Sequence, residues 1–126
     1  MAYRNALRPL AAREFIKWIP RHGALLEFGC GLAPIASSLA RFYRERGLRI
    51  TCADIEHVLF HYVRWKFSEE PCVRTLAVDP GADDLLDQVA YDIIFCMTVL
   101  EHVPRPVQTL RCLRAHLKPG GHLILE

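Results

Sequence analysis

Three carboxylates stand at or near the ends of apolar runs: Glu27 within Ala24–Phe28, Asp54 after Leu48–Ala53, and Asp79 after Val73–Val78. Gly29-Cys30-Gly31 follows the first run at once. Two glycines so close supply a tight turn whose bare backbone lets a ligand come near. Glu27 is the odd residue of its run, because an isolated buried carboxylate costs several kcal/mol or shifts its pKa. A cationic or hydrogen-bond-donating ligand would relieve it. Asp54 follows Gly31 by 23 residues, close to the ~20-residue offset at which a strand–helix–strand unit sets an acid on a ribose hydroxyl. It would equally serve as the N-cap of the next helix. Asp79 is placed alike, one run later, either to accept from an adenine amino group or to begin a turn ahead of Pro80. His102 lies just past the apolar run Tyr91–Met97. Its ordinary pKa suits a general base, and the alternative is a helix-start residue beside a pocket mouth. His57 and His61 are spaced as metal ligands on a helix can be, but no third ligand lies nearby in sequence, so no metal is expected.

These residues need a scaffold that brings strand ends together. Ala24–Phe28 suits a strand buried on both faces, and Pro34 with Ile35, Ala36, Leu39 and Ala40 suits a helix opened by proline. Arg46-Gly47 should close that helix. A second strand should cover Leu48–Ala53, with a helix then reaching Phe67. A third strand, Val73–Val78, should lead into a short acidic helix bearing Leu85, Leu86 and Val89. Tyr91–Met97, the longest apolar run, is expected to be the central strand. Val107, Leu110, Leu113 and Leu117 mark the buried face of a last helix, stopped by Lys118-Pro119-Gly120-Gly121, and His122–Glu126 begins a fifth strand. Ahead of all this, Leu7, Leu10, Ala11, Phe15, Trp18 and Ile19 fall on one face of an N-terminal helix within residues 1–23. Its basic composition overlaps with that of transit peptides, but the regular spacing of bulky apolar residues favours a domain helix. Strict alternation of strand and helix gives a parallel sheet with right-handed crossovers and helices on both faces. No internal boundary interrupts residues 1–126, so one domain is expected.

Composition narrows the alternatives. Over half of the 126 residues are hydrophobic (52%), which rules against disorder. A formal net charge of +2 makes no case for nucleic acid or a membrane surface. Five cysteines, odd in number and without a C-x-x-C pair, read as reduced thiols of a cytoplasmic protein. No apolar run approaches the ~20 residues of a membrane span.

Leu26-Glu-Phe-Gly-Cys-Gly-Leu-Ala33, then Cys52-Ala-Asp-Ile-Glu56, then Tyr91-Asp-Ile-Ile-Phe-Cys-Met-Thr-Val-Leu-Glu-His-Val103, then Leu117-Lys-Pro-Gly-Gly-His-Leu-Ile-Leu125 together resemble the class I S-adenosylmethionine-dependent methyltransferases. The resemblance spans residues 24–126, with four motifs in order. It implies a three-layer Rossmann-like α/β fold and S-adenosyl-L-methionine as cofactor. Glu27, Gly29, Cys30 and Gly31 would hold the amino-acid moiety of the cofactor, and Asp54 with Ile55 its ribose. Asp79 would lie near the adenine, with Cys96, Met97 and Thr98 beside the methyl donor. Glu101 and His102 match a pair on the substrate side, where His102 is the candidate base. The implied reaction is in-line methyl transfer to a small-molecule acceptor, and the alternative is a module of the same fold that binds without turnover.

Two departures stand out. The third glycine of the family's Gly-x-Gly-x-Gly is Ala33, acceptable where φ stays negative. The family's sheet also carries a C-terminal strand pair that residues 1–126 are expected to lack, so either the remainder was removed, or a homodimer contact or a partner chain should cover the edge of the fifth strand. A nicotinamide-dependent oxidoreductase fits less well, because Pro34 stands where the dinucleotide fingerprint wants glycine or alanine.

Overall fold

The computed structural model describes residues 13–87 and 89–126. Its centre is a five-stranded sheet in the order β3-β2-β1-β4-β5. The strands are β1 (Ala24–Phe28), β2 (Arg49–Asp54), β3 (Val73–Ala77), β4 (Tyr91–Cys96) and β5 (Leu117–Leu125), and every pairing is parallel. Three helices join them: α1 (Pro34–Phe42), α2 (Val58–Lys66) and α3 (Pro106–Ala115).

β1 is the central strand, where the length of the β4 run had pointed to β4. All five of its residues are buried. Alternate side chains feed two separate cores. Leu25 packs with Ile35 and Leu39 of α1 and Phe60 and Val63 of α2. Leu26 and Phe28 pack with Ile94 and with Leu113 of α3. A strand with neighbours on both faces needs no polar face, hence an apolar run interrupted only by Glu27. Burying each leucine contributes roughly 1.5–3 kcal/mol. Phe15 joins the α1–α2 side, its ring 5.6 Å from that of Phe95. Of the expected N-terminal helix, Leu7, Leu10 and Ala11 lie outside the described residues; Ile16–Trp18 forms a 3-10 turn, and Trp18 stacks on His122 at 5.2 Å.

Four boundaries depart from expectation. α1 ends at Phe42, and a separate 3-10 turn, Arg44–Arg46, reaches left-handed Gly47. Among the described residues no acidic helix forms after β3. Asp79 Oδ1 accepts the Gly81 N–H at 2.9 Å, and Asp84 Oδ1 accepts the Leu86 N–H at 3.2 Å. Each side chain offers the backbone a local alternative to the helical ladder. The buried residues of α3 are Thr109 and Leu113, while Val107 is exposed. Leu117 already belongs to β5, which also takes in the Lys-Pro-Gly-Gly stretch as a bulge: pairing jumps from Tyr91↔Leu117 to Ile93↔His122.

Candidate functional site

The strand order reverses between β1 and β4, and in open parallel sheets the crevice at that switch point, outside the carboxyl ends of the strands, is where ligands bind. A cleft of about 260 Å³ lies there. Its floor is Phe28 and Gly29 from the end of β1, with Asp54 at the end of β2 and Ile55 just after it. One wall is the segment after β3, through Val78, Pro80, Ala82 and Leu85; the other is the β4–α3 connection, from Val99 to Arg105, and the start of α3 at Gln108 and Thr109. The lining is mostly apolar with a few polar groups, as small-molecule sites are. Arg105 crosses between the walls, its guanidinium donating to the Ala82 carbonyl at 3.1 Å and to that of Pro80 at 3.4 Å.

The glycine turn is shaped for close approach. Gly29 and Gly31 both have positive φ, 64° and 56°. A Cβ on Gly29 would sit 2.4 Å from Val99 Cγ2, whereas nothing lies within 4 Å of one on Gly31. The first glycine lets the cleft wall pack against the turn, and the second leaves an open backbone face. Gly31 donates its N–H to Asp54 Oδ2 at 2.9 Å, and Asp54 Oδ1 accepts the Ile55 N–H at 2.8 Å. A carboxylate has about four acceptor positions, so Asp54 is oriented by the turn and keeps capacity for two further donors. It is not the N-cap of α2: His57 holds that position, with its Nε2 3.4 Å from Asp54 Oδ2.

Glu27 is 3% exposed, and its burial is relieved from within the fold. Oε2 accepts the Ala36 N–H at 2.8 Å and Oε1 the Ile35 N–H at 3.3 Å. These are first-turn donors of α1, where the helix dipole favours an anion. Placement of the other sequence candidates is uneven. Gly29, Asp54, Ile55 and His102 line the cleft; Glu27, Cys30, Gly31, Asp79, Cys96, Met97 and Thr98 are not among its lining residues. Asp79 begins a turn, the plainer of its two readings. Cys96 is fully buried, and burial, with Glu101 adding, pushes its thiol up to about 11. Thr98 holds φ 54°, a strained value of the kind that clusters at functional sites. His102 is 78% exposed at its side chain, with Nε2 3.9 Å from Glu101 Oε1. Ala33 has φ 53°, contrary to the negative value under which alanine is comfortable there.

Sequence reasoning missed Val99, Leu85 and Arg105. They lie far from the glycine turn along the chain, and no local signal ties them to it.

A parallel sheet ordered 3-2-1-4-5, with a glycine turn and an acid on adjacent strand ends beside a cleft at its switch point, defines a Rossmann-like domain. The methyltransferase domain family matches residues 26–123, and the chain belongs to that family. A ubiquinone biosynthesis O-methyltransferase of Xylella fastidiosa is 32% identical over 124 residues, 97% of this chain and 49% of the relative. The chain spans about half the length of the curated relatives it matches. Coclaurine N-methyltransferase, solved with N-methylheliamine and SAH, has a TM-score of 0.76 at 19% identity, over 93% of this chain and 35% of that one. SAM-bound CalS10, an amino pentose methyltransferase of Micromonospora echinaspora, has a TM-score of 0.73 at 23% identity, over 100% of this chain and 56% of that one. At these identities the structural likeness shows the shared fold.

Proposed function

We propose that residues 24–126, led by the segment 1–23, form the cofactor-binding domain of an S-adenosylmethionine-dependent methyltransferase acting on a small-molecule acceptor. The observation that carries this reading is the pairing of the open Gly31 backbone with the Asp54 carboxylate, locked together by one hydrogen bond at the floor of the cleft. Family membership supports it, and the name of the Xylella relative supports a small acceptor.

When bound, the cofactor supplies an electrophilic methyl group on a sulfonium. Asp54 accepts the ribose hydroxyls with its remaining lone pairs. Ile55, Val78 and Leu85 give the adenine an apolar slot, with Asp79 at its rim. Gly29, Cys30 and Gly31 present the turn to the amino-acid end. Glu27 acts by holding the start of α1 against that turn, and Cys96, Met97 and Thr98, at and just past the end of β4, stand beside the methyl donor. Alignment of acceptor and methyl is the main contribution the protein can make, worth roughly 7–11 kcal/mol at best. His102 is the base for an acceptor that must lose a proton. No helix among the described residues is long and apolar enough to cross a membrane, and free thiols at Cys30, Cys52, Cys72, Cys96 and Cys112 suit the reducing cytoplasm. β5 pairs with β4 alone among the described strands, and its other edge is the one that the family's further strands, a second copy or a partner chain would cover.

Calorimetry with S-adenosylmethionine, S-adenosylhomocysteine and NAD tests the cofactor. Binding of the first two and not the third is expected, and the reverse would overturn the reading. A methyl-release assay over an acceptor panel then separates an enzyme from a binding module, since a module would bind both sulfur ligands and release nothing.

A further inference from the structure

The sequence drew attention to His57 and His61 as a metal pair, but the fold sends them apart, to Asp54 at 3.4 Å and Glu56 at 3.6 Å. A different set of donors assembles at the far end of α3. Asp84, from the loop after β3, meets Cys112 and His116, which are four residues apart on α3 and its C-cap. The ligand atoms of the three side chains all lie within 4.8 Å of one another. Asp84 Oδ1 is 3.3 Å from Cys112 Sγ and 3.7 Å from His116 Nε2. Around a tetrahedral Zn²⁺, with Zn–S near 2.3 Å and Zn–N and Zn–O near 2.0–2.1 Å, neighbouring ligand atoms stand roughly 3.3–3.7 Å apart. The two edges that meet at Asp84 are already of that length, and the third, between Cys112 and His116, is within 4.8 Å.

The histidine is prepared for the role. Its Nδ1 lies 2.9 Å from the Cys112 carbonyl. A carbonyl can only accept, so Nδ1 carries the proton and Nε2 keeps its lone pair, the outer hydrogen bond that orients metal-bound imidazoles. The side chain is 12% exposed and that of Asp84 63%, so one ligand is fixed while another is open to solvent. One thiolate, one imidazole and one carboxylate make a mixed set of borderline softness, which suits zinc rather than calcium or magnesium.

We propose that Asp84, Cys112 and His116 form a surface zinc site with water as the fourth ligand. The metal joins the loop carrying Ala82 and Leu85 to the helix carrying Gln108 and Thr109, four residues that wall the cleft from opposite sides. It therefore staples the two walls from outside, and it stands independently of what the cleft binds.

The test uses the full chain, reduced and stripped of metal, titrated with Co²⁺ and then Zn²⁺. One equivalent of Co²⁺ should give a thiolate charge-transfer band and visible bands of tetrahedral intensity, both erased by an equivalent of Zn²⁺. Cys112→Ser should abolish the charge-transfer band, and Asp84→Asn and His116→Gln should each weaken Zn²⁺ binding on the order of tenfold or more. Zn²⁺ should also protect Cys112 from alkylation, read by peptide mass spectrometry, while leaving Cys72 as reactive as before, and should raise the melting temperature by mass action. A charge-transfer band that survives in Cys112→Ser, or an unchanged alkylation rate at Cys112 under saturating Zn²⁺, overturns the assignment. Should Cys112→Ser fail to fold, the alkylation result and the exposed Asp84→Asn variant decide the question: undiminished affinity in the latter is a refutation.

Discussion

Ala33 holds φ 53° and ψ 55° while fully buried, a left-handed conformation that costs an L-residue about 1–2 kcal/mol. Replacing it with glycine removes that strain but frees the unfolded chain, a cost of roughly 0.5–1 kcal/mol. Ala33→Gly is therefore expected to stabilise the protein by about 0.5–1 kcal/mol, seen as a higher urea midpoint; a lower midpoint would show that the methyl packs better than it strains. Asp54→Ala should weaken S-adenosylmethionine binding by about 1–3 kcal/mol through the lost acceptors and the loosened Gly31 N–H, and unchanged affinity by calorimetry would remove the ribose role. At Cys96, burial pushes the thiol up to about 11, so near pH 8 it stays protonated. Thiol titration of the folded chain should leave Cys96 unlabelled, along with buried Cys30 and Cys52, and reach it only on unfolding.

At the scale of elements, the turn after β1 and the connection after β4 are built against each other. Gly29→Ala would force a methyl to 2.4 Å from Val99 Cγ2 at a backbone φ of 64°, and a destabilisation of roughly 2–3 kcal/mol is expected. Val99→Ala should recover part of that loss, because it removes the clash and leaves the strain. Denaturant melts of both single variants and the double variant would measure the coupling, and strict additivity would mean that the two elements do not communicate there. α1 depends likewise on β1. Glu27 holds the Ile35 and Ala36 N–H groups, which makes a polar strand residue part of a helix terminus.

For the whole molecule, Asp92 ties three strands together. Its Oδ2 accepts the Ala24 N–H at 2.8 Å and Lys118 Nζ at 3.0 Å. Desolvation pushes the carboxyl up, but the Ala24 N–H and the Lys118 ammonium outweigh it, so the folded carboxyl titrates below its usual range. A depressed carboxylate lends stability that is full above its unfolded pKa, about 3.9, and is lost as pH falls through the folded value. Stability should hold from neutral pH down to about pH 5 and drop below about pH 4. Asp92→Asn should lower neutral stability by about 1 kcal/mol and flatten the acid drop, as urea melts across that range would show; an unaltered acid limb would assign it to other carboxylates, such as Asp87 paired with Arg74 at 2.5 Å.

The sequence by itself determined the parallel α/β layering, the glycine turn, and the acids at the strand ends, because these rest on local chemistry: apolar runs long enough for buried strands, glycine where φ must be positive, carboxylates where strands stop. Asp54 could be picked out from spacing alone. Tertiary structure decided what surrounds those residues. Whether Glu27 met a ligand or a helix end depended on how α1 docks on β1. The centrality of β1 over β4 depended on strand order, which run length does not encode. The acidic helix after β3 was lost to Asp79 and Asp84 caps that compete with the helical ladder. Val99, Arg105 and the Asp84–Cys112–His116 cluster had no local signature, since each acquires its meaning from partners brought close only when the sheet assembles.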